Sequence, residues 1–311
     1  MQFISAETIH AALDWESVLS ALHQAHLGPR PTGDGFFLGD AEYGLLSRGV
    51  ILPCTGVGLK IASMCPANSH ANPPRPMEDA AFLVIDEQTK AISAVLDGPA
   101  ISCWKTPADS ALAARKLSRE DSTVLLVLGG GPIARALVDV YLHIRPGIEQ
   151  VLLWNRTASK LTDTLASLQA RGINARIAED LNLAVSSADI ITSATSAATP
   201  LIHGDFVKPG THIDLIGGYR PDMQEADSKS VAKGRIFVDD RANAATSGDI
   251  RIPLEAGMIT PSQIEADLYE LCQTADFVRR SEDITVYKNA GGAHIDLVVS
   301  QCVIRKLAAV N

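Results

Sequence analysis

A lysine inside an apolar run is the first residue whose placement suggests chemistry. Lys60 lies in "GLKIAS", and burying an ammonium is costly unless an anion accompanies it. A substrate carboxylate or an acidic neighbour would supply that anion. Arg48, in "LLSRGVILP", lies two and four residues before Val50 and Leu52, so the three side chains share one side of an extended strand. Its guanidinium is a candidate for a bidentate grip on a carboxylate. A rim arginine or a dimer-interface arginine is the plainer reading, and Arg30 competes for the same role.

A second cluster lies in "VLLVLGGGPIARALVDVYL", where Gly129, Gly131 and Ala134 form G-x-G-x-x-A between a strand-like run and a helix-like run. Glycine lets the backbone turn tightly and approach a pyrophosphate, which the helix N-terminus then attracts. With a second strand about 20 residues on, the motif reads as a dinucleotide site rather than a plain strand-to-helix turn. Gly129, Gly131, Pro132, Ile133 and Ala134 are its candidate residues. The second strand ends in "LLWNRTASK", with Asn155 and Arg156 where an NAD site usually has an acid for the ribose hydroxyl. Asn155, Arg156, Thr157 and Lys160 could together hold a 2′-phosphate. NADP(H) is therefore favoured and NAD(H) is the alternative; a solvated loop is the bland reading of the same residues.

These residues need elements to position them. Residues 5–26 read as one or two amphipathic helices, with "SAET" and "DWES" as capping starts. The Gly- and Pro-rich stretch 28–44 reads as loop with short extended pieces. Residues 45–65 read as two strands around a turn, and 80–98 as a hairpin ending in turn residues Asp97 and Gly98. "KTPADSALAARKL" (105–117) is helical after its proline. Beyond it, strands at 122–129, 150–155, 189–195, 211–217 and 235–240 alternate with helical segments. A parallel pair of strands needs a crossover, so this alternation implies a doubly wound α/β sheet.

The bulk numbers narrow the class. The 311 residues are 46% hydrophobic and 20% charged, with a net charge of −9, the balance of an ordinary globular protein. An acidic total argues against a nucleic-acid partner. The five cysteines, Cys54, Cys65, Cys103, Cys272 and Cys302, are odd in number and scattered. That suits reduced thiols in the cytoplasm better than a disulfide framework or a zinc site. No signal peptide and no long apolar span is read, so a cytoplasmic protein without a membrane segment is expected. His70 has no partner at ligand spacing, and no metal is expected.

Eight ordered segments resemble the ornithine cyclodeaminase/mu-crystallin family over nearly the whole chain: "GLKIASMCPAN", "VIDEQTKAISAVLDG", "KTPADSALAARKL", "LGGGPIAR", "WNRT", "ITSATSAATPLI", "IDLIGGYRPDMQEAD" and "ITVYKNAGGAHIDL". The resemblance implies a Rossmann domain at 118–291, inserted in an N-terminal α+β substrate and dimerisation domain at 1–117 that the C-terminal helix, 292–311, completes. It implies a homodimer with its active site in the cleft between the domains. The family includes ornithine cyclodeaminase, alanine dehydrogenase, reductases of cyclic ketimines such as Δ1-pyrroline-2-carboxylate, and mu-crystallin, a binder of NADPH and a small ligand.

Residue by residue, the resemblance makes Lys60 the active-site lysine. Lys105 falls where the family often has an arginine for the substrate carboxylate, so it keeps the charge without the fork. Thr106 keeps a hydroxyl for cofactor phosphate, with helix capping as its alternative. Ser193, Ala194, Thr195 and Gly217 complete the cofactor candidates. Tyr219 replaces the aspartate that serves the cyclodeaminases as acid/base group. A phenol with an ordinary pKa near 10 is a poor carboxylate base. The resemblance is therefore closer to the reductase branch: reduction of Δ1-pyrroline-2-carboxylate, or of Δ1-piperideine-2-carboxylate, to L-proline or L-pipecolate. Tyr219 would line the substrate. His294 in "NAGGAHID" reads as packing at a helix start, with a place at the cleft border as the alternative.

Overall fold

The computed structural model describes the chain except Ala41, Pro74, Tyr219 and Asn311 and the side chains of Ser69 and Val310. The chain folds as two compact units, Met1–Ala108 with Gly292–Asn311, and Asp109–Gly291. The first division falls inside a helix, between Ala108 and Asp109, rather than at the end of that helix at Leu117 as expected.

The first unit begins with β1 (Gln2–Ile4), α1 (Ala6–Ala12) and α2 (Trp15–Leu27). The capping starts are in place: the Ser5 side chain accepts from the Thr8 N–H, and Asp14 accepts from the Ser17 N–H at 2.9 Å, each satisfying a first-turn donor. Strands β2 (Thr32–Gly39), β3 (Gly44–Leu52), β4 (Gly56–Met64), β5 (Glu78–Ile85) and β6 (Ile92–Asp97) follow. Helix α3 (Gly98–Leu117) then runs on into the second unit.

The first sheet has the order β1-β6-β5-β4-β3-β2, antiparallel except for the parallel β1–β6 pair. Two sequence expectations fail here. The stretch read as loop with short extended pieces contains the eight-residue β2, whose glycines serve close strand approach: a Cβ on Gly35 would stand 2.4 Å from the Ser47 carbonyl oxygen. The helix expected after Pro107 starts at Gly98, because the Asp97 carboxylate caps it by accepting from the Ala100 N–H at 2.8 Å. Pro107 is accommodated inside it, although it offers no N–H to the preceding turn.

The second unit carries β7 (Val124–Leu128), α4 (Pro132–Ile144), β8 (Gln150–Trp154), α5 (Thr162–Ala170), β9 (Ala175–Ile177), α6 (Leu181–Ser187), β10 (Ile190–Ser193) and β11 (His212–Leu215). It continues through α7 (Ser228–Lys233), β12 (Arg235–Val238), α8 (Arg241–Thr246), α9 (Gly248–Glu255), β13 (Ile264–Asp267), α10 (Leu268–Gln273) and β14 (Thr285–Lys288). The strands form one parallel sheet, β13-β12-β14-β11-β10-β7-β8-β9. The chain winds outward through β8 and β9 on one side of β7 and through β10 and β11 on the other. The β7/β10 boundary is thus the switch point at which such folds bind ligands. Leu126, Leu152, Ile191, Ile213, Val238 and Val286 are buried in its core.

The last helix, α11 (Ala293–Val310), belongs to the first unit and packs on α2, β3, β4 and β5. Among the described residues, no helix is long and apolar enough to cross a membrane, and no cluster of His, Cys, Asp or Glu is arranged to hold a metal ion.

Candidate active site

Arg48 and Lys60 are direct cross-strand partners on β3 and β4, and Lys60 in turn pairs with Phe82 on β5. Directly opposed residues put their side chains on one face, so a guanidinium and an ammonium are neighbours here. The same face carries the buried Val50, Leu52, Ala62 and Phe82, which places both cations at the core side of the sheet. Arg30 lies outside the strands and is exposed.

Two further groups of the first unit complete the cluster. Lys105, on α3, lies 3.3 Å from Asp296 Oδ2, and Lys60 Nζ lies 3.6 Å from Asp296 Oδ1. Lys60 also donates to Ser102 Oγ at 3.3 Å, one helical turn before Lys105. The Asp296 side chain is 2% exposed and the two lysines 12% and 10%. Burial by itself would raise the Asp296 carboxyl, but the charges of Lys105 and Lys60 outweigh it and hold the carboxyl below its usual range. His294, near the start of α11, packs edge-on against His26 with ring centroids 5.6 Å apart. Burial first, then the charges of His26 and Lys105, push its pKa down to about 3, so it is neutral at physiological pH. Its packing role is the one the geometry supports. Thr106 is half-buried in the middle of α3, which removes helix capping as its role.

In the second unit, Gly129 follows β7 with φ +126°, and a Cβ there would stand 2.6 Å from the Ala194 carbonyl oxygen and 3.2 Å from Ala134 Cβ. Only glycine satisfies both conditions. Gly131 is different. It is the N-cap of α4, makes no side-chain cap, and a Cβ on it would meet nothing within 4 Å. Pro132 supplies no N–H, so Ile133 and Ala134 are the first residues of α4 to present backbone donors toward that open space. Such an uncapped, open helix start fits a pyrophosphate.

The ends of the neighbouring strands converge on this turn. A Cβ on Gly130 would meet Lys160 Cβ at 3.2 Å and Asn155 Cγ at 3.5 Å. Asn155 donates to the Thr157 carbonyl at 2.9 Å, shaping the loop on which Arg156, Thr157 and Lys160 are exposed. Ser193 and Thr195 are turned elsewhere: both hydroxyls donate to Glu225 Oε1, at 2.6 and 2.7 Å, and the Thr195 N–H joins them at 2.7 Å. Glu225 Oε2 accepts from the Ile216 and Gly217 N–H groups. One buried carboxylate thus ties the loop after β10, with Ala194 in it, to the loop after β11. A Cβ on Gly217 would stand 1.9 Å from the Thr195 carbonyl oxygen, so these loops touch backbone to backbone. Asp249 backs the arrangement, accepting from the Glu225 N–H at 2.7 Å and from the fully buried Lys288 at 3.1 Å. Tyr219, two residues beyond Gly217, lies outside the described residues.

Sequence reasoning missed Asp296, Ser102, Glu225, Asp249 and Lys288. Lys288 in "ITVYKN" had the signal already used for Lys60, a charge inside an apolar strand. Asp296 and Glu225 had no such signal, since their partners lie far away in sequence.

A doubly wound sheet with an open, glycine-lined helix start at its switch point defines a nucleotide-cofactor-binding protein, here joined to a unit carrying a buried cationic cluster. The chain belongs to the ornithine cyclodeaminase/mu-crystallin family, whose pattern matches residues 53–310. It is 38% identical over 311 residues to the Delta(1)-pyrroline-2-carboxylate reductase of Paracoccus denitrificans, covering 99% of this chain and 97% of the relative. The enzyme of the same name from Colwellia psychrerythraea is 33% identical over 317 residues, covering 99% and 100%. Among solved structures, the Delta(1)-pyrroline-2-carboxylate reductase of Thermococcus litoralis in complex with NADH and L-proline superposes with a TM-score of 0.93, at 25% identity and 100% and 98% coverage.

Proposed function

We propose that the protein reduces a cyclic 2-carboxylate imine, Δ1-pyrroline-2-carboxylate or its six-membered homologue, to L-proline or L-pipecolate. The observation that carries this reading is the Arg48–Lys60 cross-strand pair beside Lys105, where Asp296 is shared by the two ammoniums. Such a cluster suits a substrate carboxylate, and Asp296, held in its charged form by two ammoniums, makes a poor deaminating base. Relatives named for this reaction align along the whole chain.

In this mechanism Arg48 and Lys60 hold the substrate carboxylate and so fix the ring. A dihydronicotinamide, when bound, would supply the hydride for the imine carbon. A protonated imine already carries the charge that hydride neutralises, so the protein contributes position and electrostatic fit rather than proton shuttling. Where the imine arrives neutral, Lys60 or a bound water donates the proton. The exposed Arg156 and Lys160, with Thr157, support NADP(H) as the preferred cofactor, since a 2′-phosphate pairs with such donors. Ser193 and Thr195 act on the cofactor through Glu225, by fixing the loops around it.

A homodimer is also part of the proposal. The face of the first sheet opposite Lys60 exposes large apolar side chains, with Phe3 69%, Ile51 54%, Phe36 52% and Ile61 38% exposed. An apolar surface of that kind marks an association site.

The test is absorbance at the nicotinamide band with Δ1-pyrroline-2-carboxylate, Δ1-piperideine-2-carboxylate, and pyruvate with ammonia, each with NADH and NADPH. Oxidation with a cyclic imine is expected. Turnover only with pyruvate and ammonia would assign an alanine dehydrogenase. Ammonia release from ornithine without net cofactor change would assign a cyclodeaminase, and binding without any turnover a mu-crystallin-like ligand carrier.

A further inference from the structure

We propose that Asp296 is a specificity-determining residue: by sharing its carboxylate between Lys60 and Lys105, it makes the cationic cluster prefer a carboxylate that carries a neighbouring positive nitrogen over a plain carboxylate. This rests on the reading of the cluster as a carboxylate site.

The geometry ties three rigid elements together. Asp296 stands on the first turn of α11, Lys105 in the middle of the 20-residue α3, and Lys60 in the middle of β4. Each Asp296 oxygen faces a different ammonium, at 3.6 and 3.3 Å. Ser102 holds Lys60 from a second direction. The ammoniums are therefore positioned by protein groups before a ligand arrives.

The charge count follows. Lys60 and Lys105 contribute +2 and Asp296, which faces both, −1, a net +1 for this triad. His294 adds nothing, because it is neutral. Without Asp296 the triad would carry +2. A plain carboxylate gains from that extra positive charge. An iminium carboxylate, or the product amino acid, does not: its positive nitrogen is two bonds from the carboxyl carbon and enters the same poorly screened region. Asp296 thus sets the balance between two ligand types that share one anchoring group. Lys105 takes part as the counter-charge that lets a lone acid be buried here at all, since an unpaired buried carboxylate is strongly disfavoured.

The test compares L-proline, a zwitterion, with pyrrole-2-carboxylate, which keeps ring and carboxylate but has no cationic nitrogen. Both are titrated calorimetrically into the full-length protein with NADPH present, alongside kcat/KM for Δ1-pyrroline-2-carboxylate. In Asp296→Asn, L-proline affinity and kcat/KM should fall at least tenfold while pyrrole-2-carboxylate binds several-fold tighter, with NADPH affinity unchanged. Asp296→Glu should restore the wild-type order. The double variant Lys105→Gln with Asp296→Asn returns the triad to its wild-type net of +1 and removes both members of a buried pair, so it remains informative if the single variant does not fold; it should recover the preference for L-proline. Parallel loss of both ligands, or no change in their ratio, would overturn the proposal. Failure of the wild-type protein to reduce either imine would count against the proposed reaction alone, because the binding ratio is read without turnover.

Discussion

Arg48 and Lys60 stand opposite each other across β3 and β4, two cations side by side on the core face of the first sheet. Like charges directly opposed on a sheet are unfavourable, and an anion placed between them turns that cost into affinity. The pair therefore divides binding from stability. Arg48→Gln should raise the KM for the cyclic imino acid by on the order of tenfold to a hundredfold, the scale of one charged hydrogen-bonding partner. Steady-state kinetics with NADPH saturating checks this; a KM within twofold of wild type would remove Arg48 from the substrate site.

The two glycines of the nucleotide turn should behave differently. Gly129→Ala forces a side chain into φ +126° and against the Ala194 carbonyl, so a loss of about 1–3 kcal/mol of stability is expected. Gly131→Ala meets open space at an ordinary φ of −88°. It should melt as the wild type does and yet bind NADPH about tenfold more weakly, a difference of roughly 1.4 kcal/mol. Thermal unfolding and nucleotide fluorescence titration separate the two effects.

Cofactor choice is read from the loop after β8. Replacing Arg156 and Lys160 together by Gln should weaken NADPH binding by on the order of ten- to a hundredfold and leave NADH within about twofold. Equal loss for both nucleotides would mean that the loop holds the shared part of the cofactor.

Two buried titratable groups have opposite pH signatures. His294, in the first unit, has its pKa pushed down to about 3 by burial and by the charges of His26 and Lys105. A depressed folded-state value means that its stabilising contribution is present above about 6.5, the unfolded value, and is lost as pH falls toward 3. Asp214, in the second unit, is pushed up to about 6 by burial, despite hydrogen bonds from Thr192, Ser110 and Tyr141. Its contribution is full below about 3.8 and lost as pH rises through 6. In denaturant unfolding across pH 3–8, His294→Gln should flatten the acid side and Asp214→Asn the change between 4 and 6.

The sheet face opposite Lys60 predicts the assembly. Ile61→Glu with Ile51→Glu places charges in its middle, where both side chains are exposed in the single chain. Sedimentation should then show a monomer that still binds NADPH, against a dimer for the wild type. An unchanged mass would move the interface elsewhere.

The sequence by itself determined whatever depends on neighbours in the chain. The Gly129–Ala134 spacing, the alternation of strand and helix after residue 118, the caps at Ser5 and Asp14 and the charge at Lys60 in an apolar run are all local patterns, and local sterics or solvation make them readable. Local reading failed where other contacts overrode composition: β2 looked like loop with short extended pieces until its glycines met β3, and α3 looked as if Pro107 began it until Asp97 capped it well upstream. Only the tertiary structure decided the partners. Arg48 became the neighbour of Lys60 through strand register, Asp296 reached Lys60 and Lys105 from the far end of the chain, and Glu225 bound two loops together. Coulombic and hydrogen-bond energies act over a few ångströms of space without regard to sequence separation, so a buried charge is legible in the chain while its counter-charge is legible only in the fold.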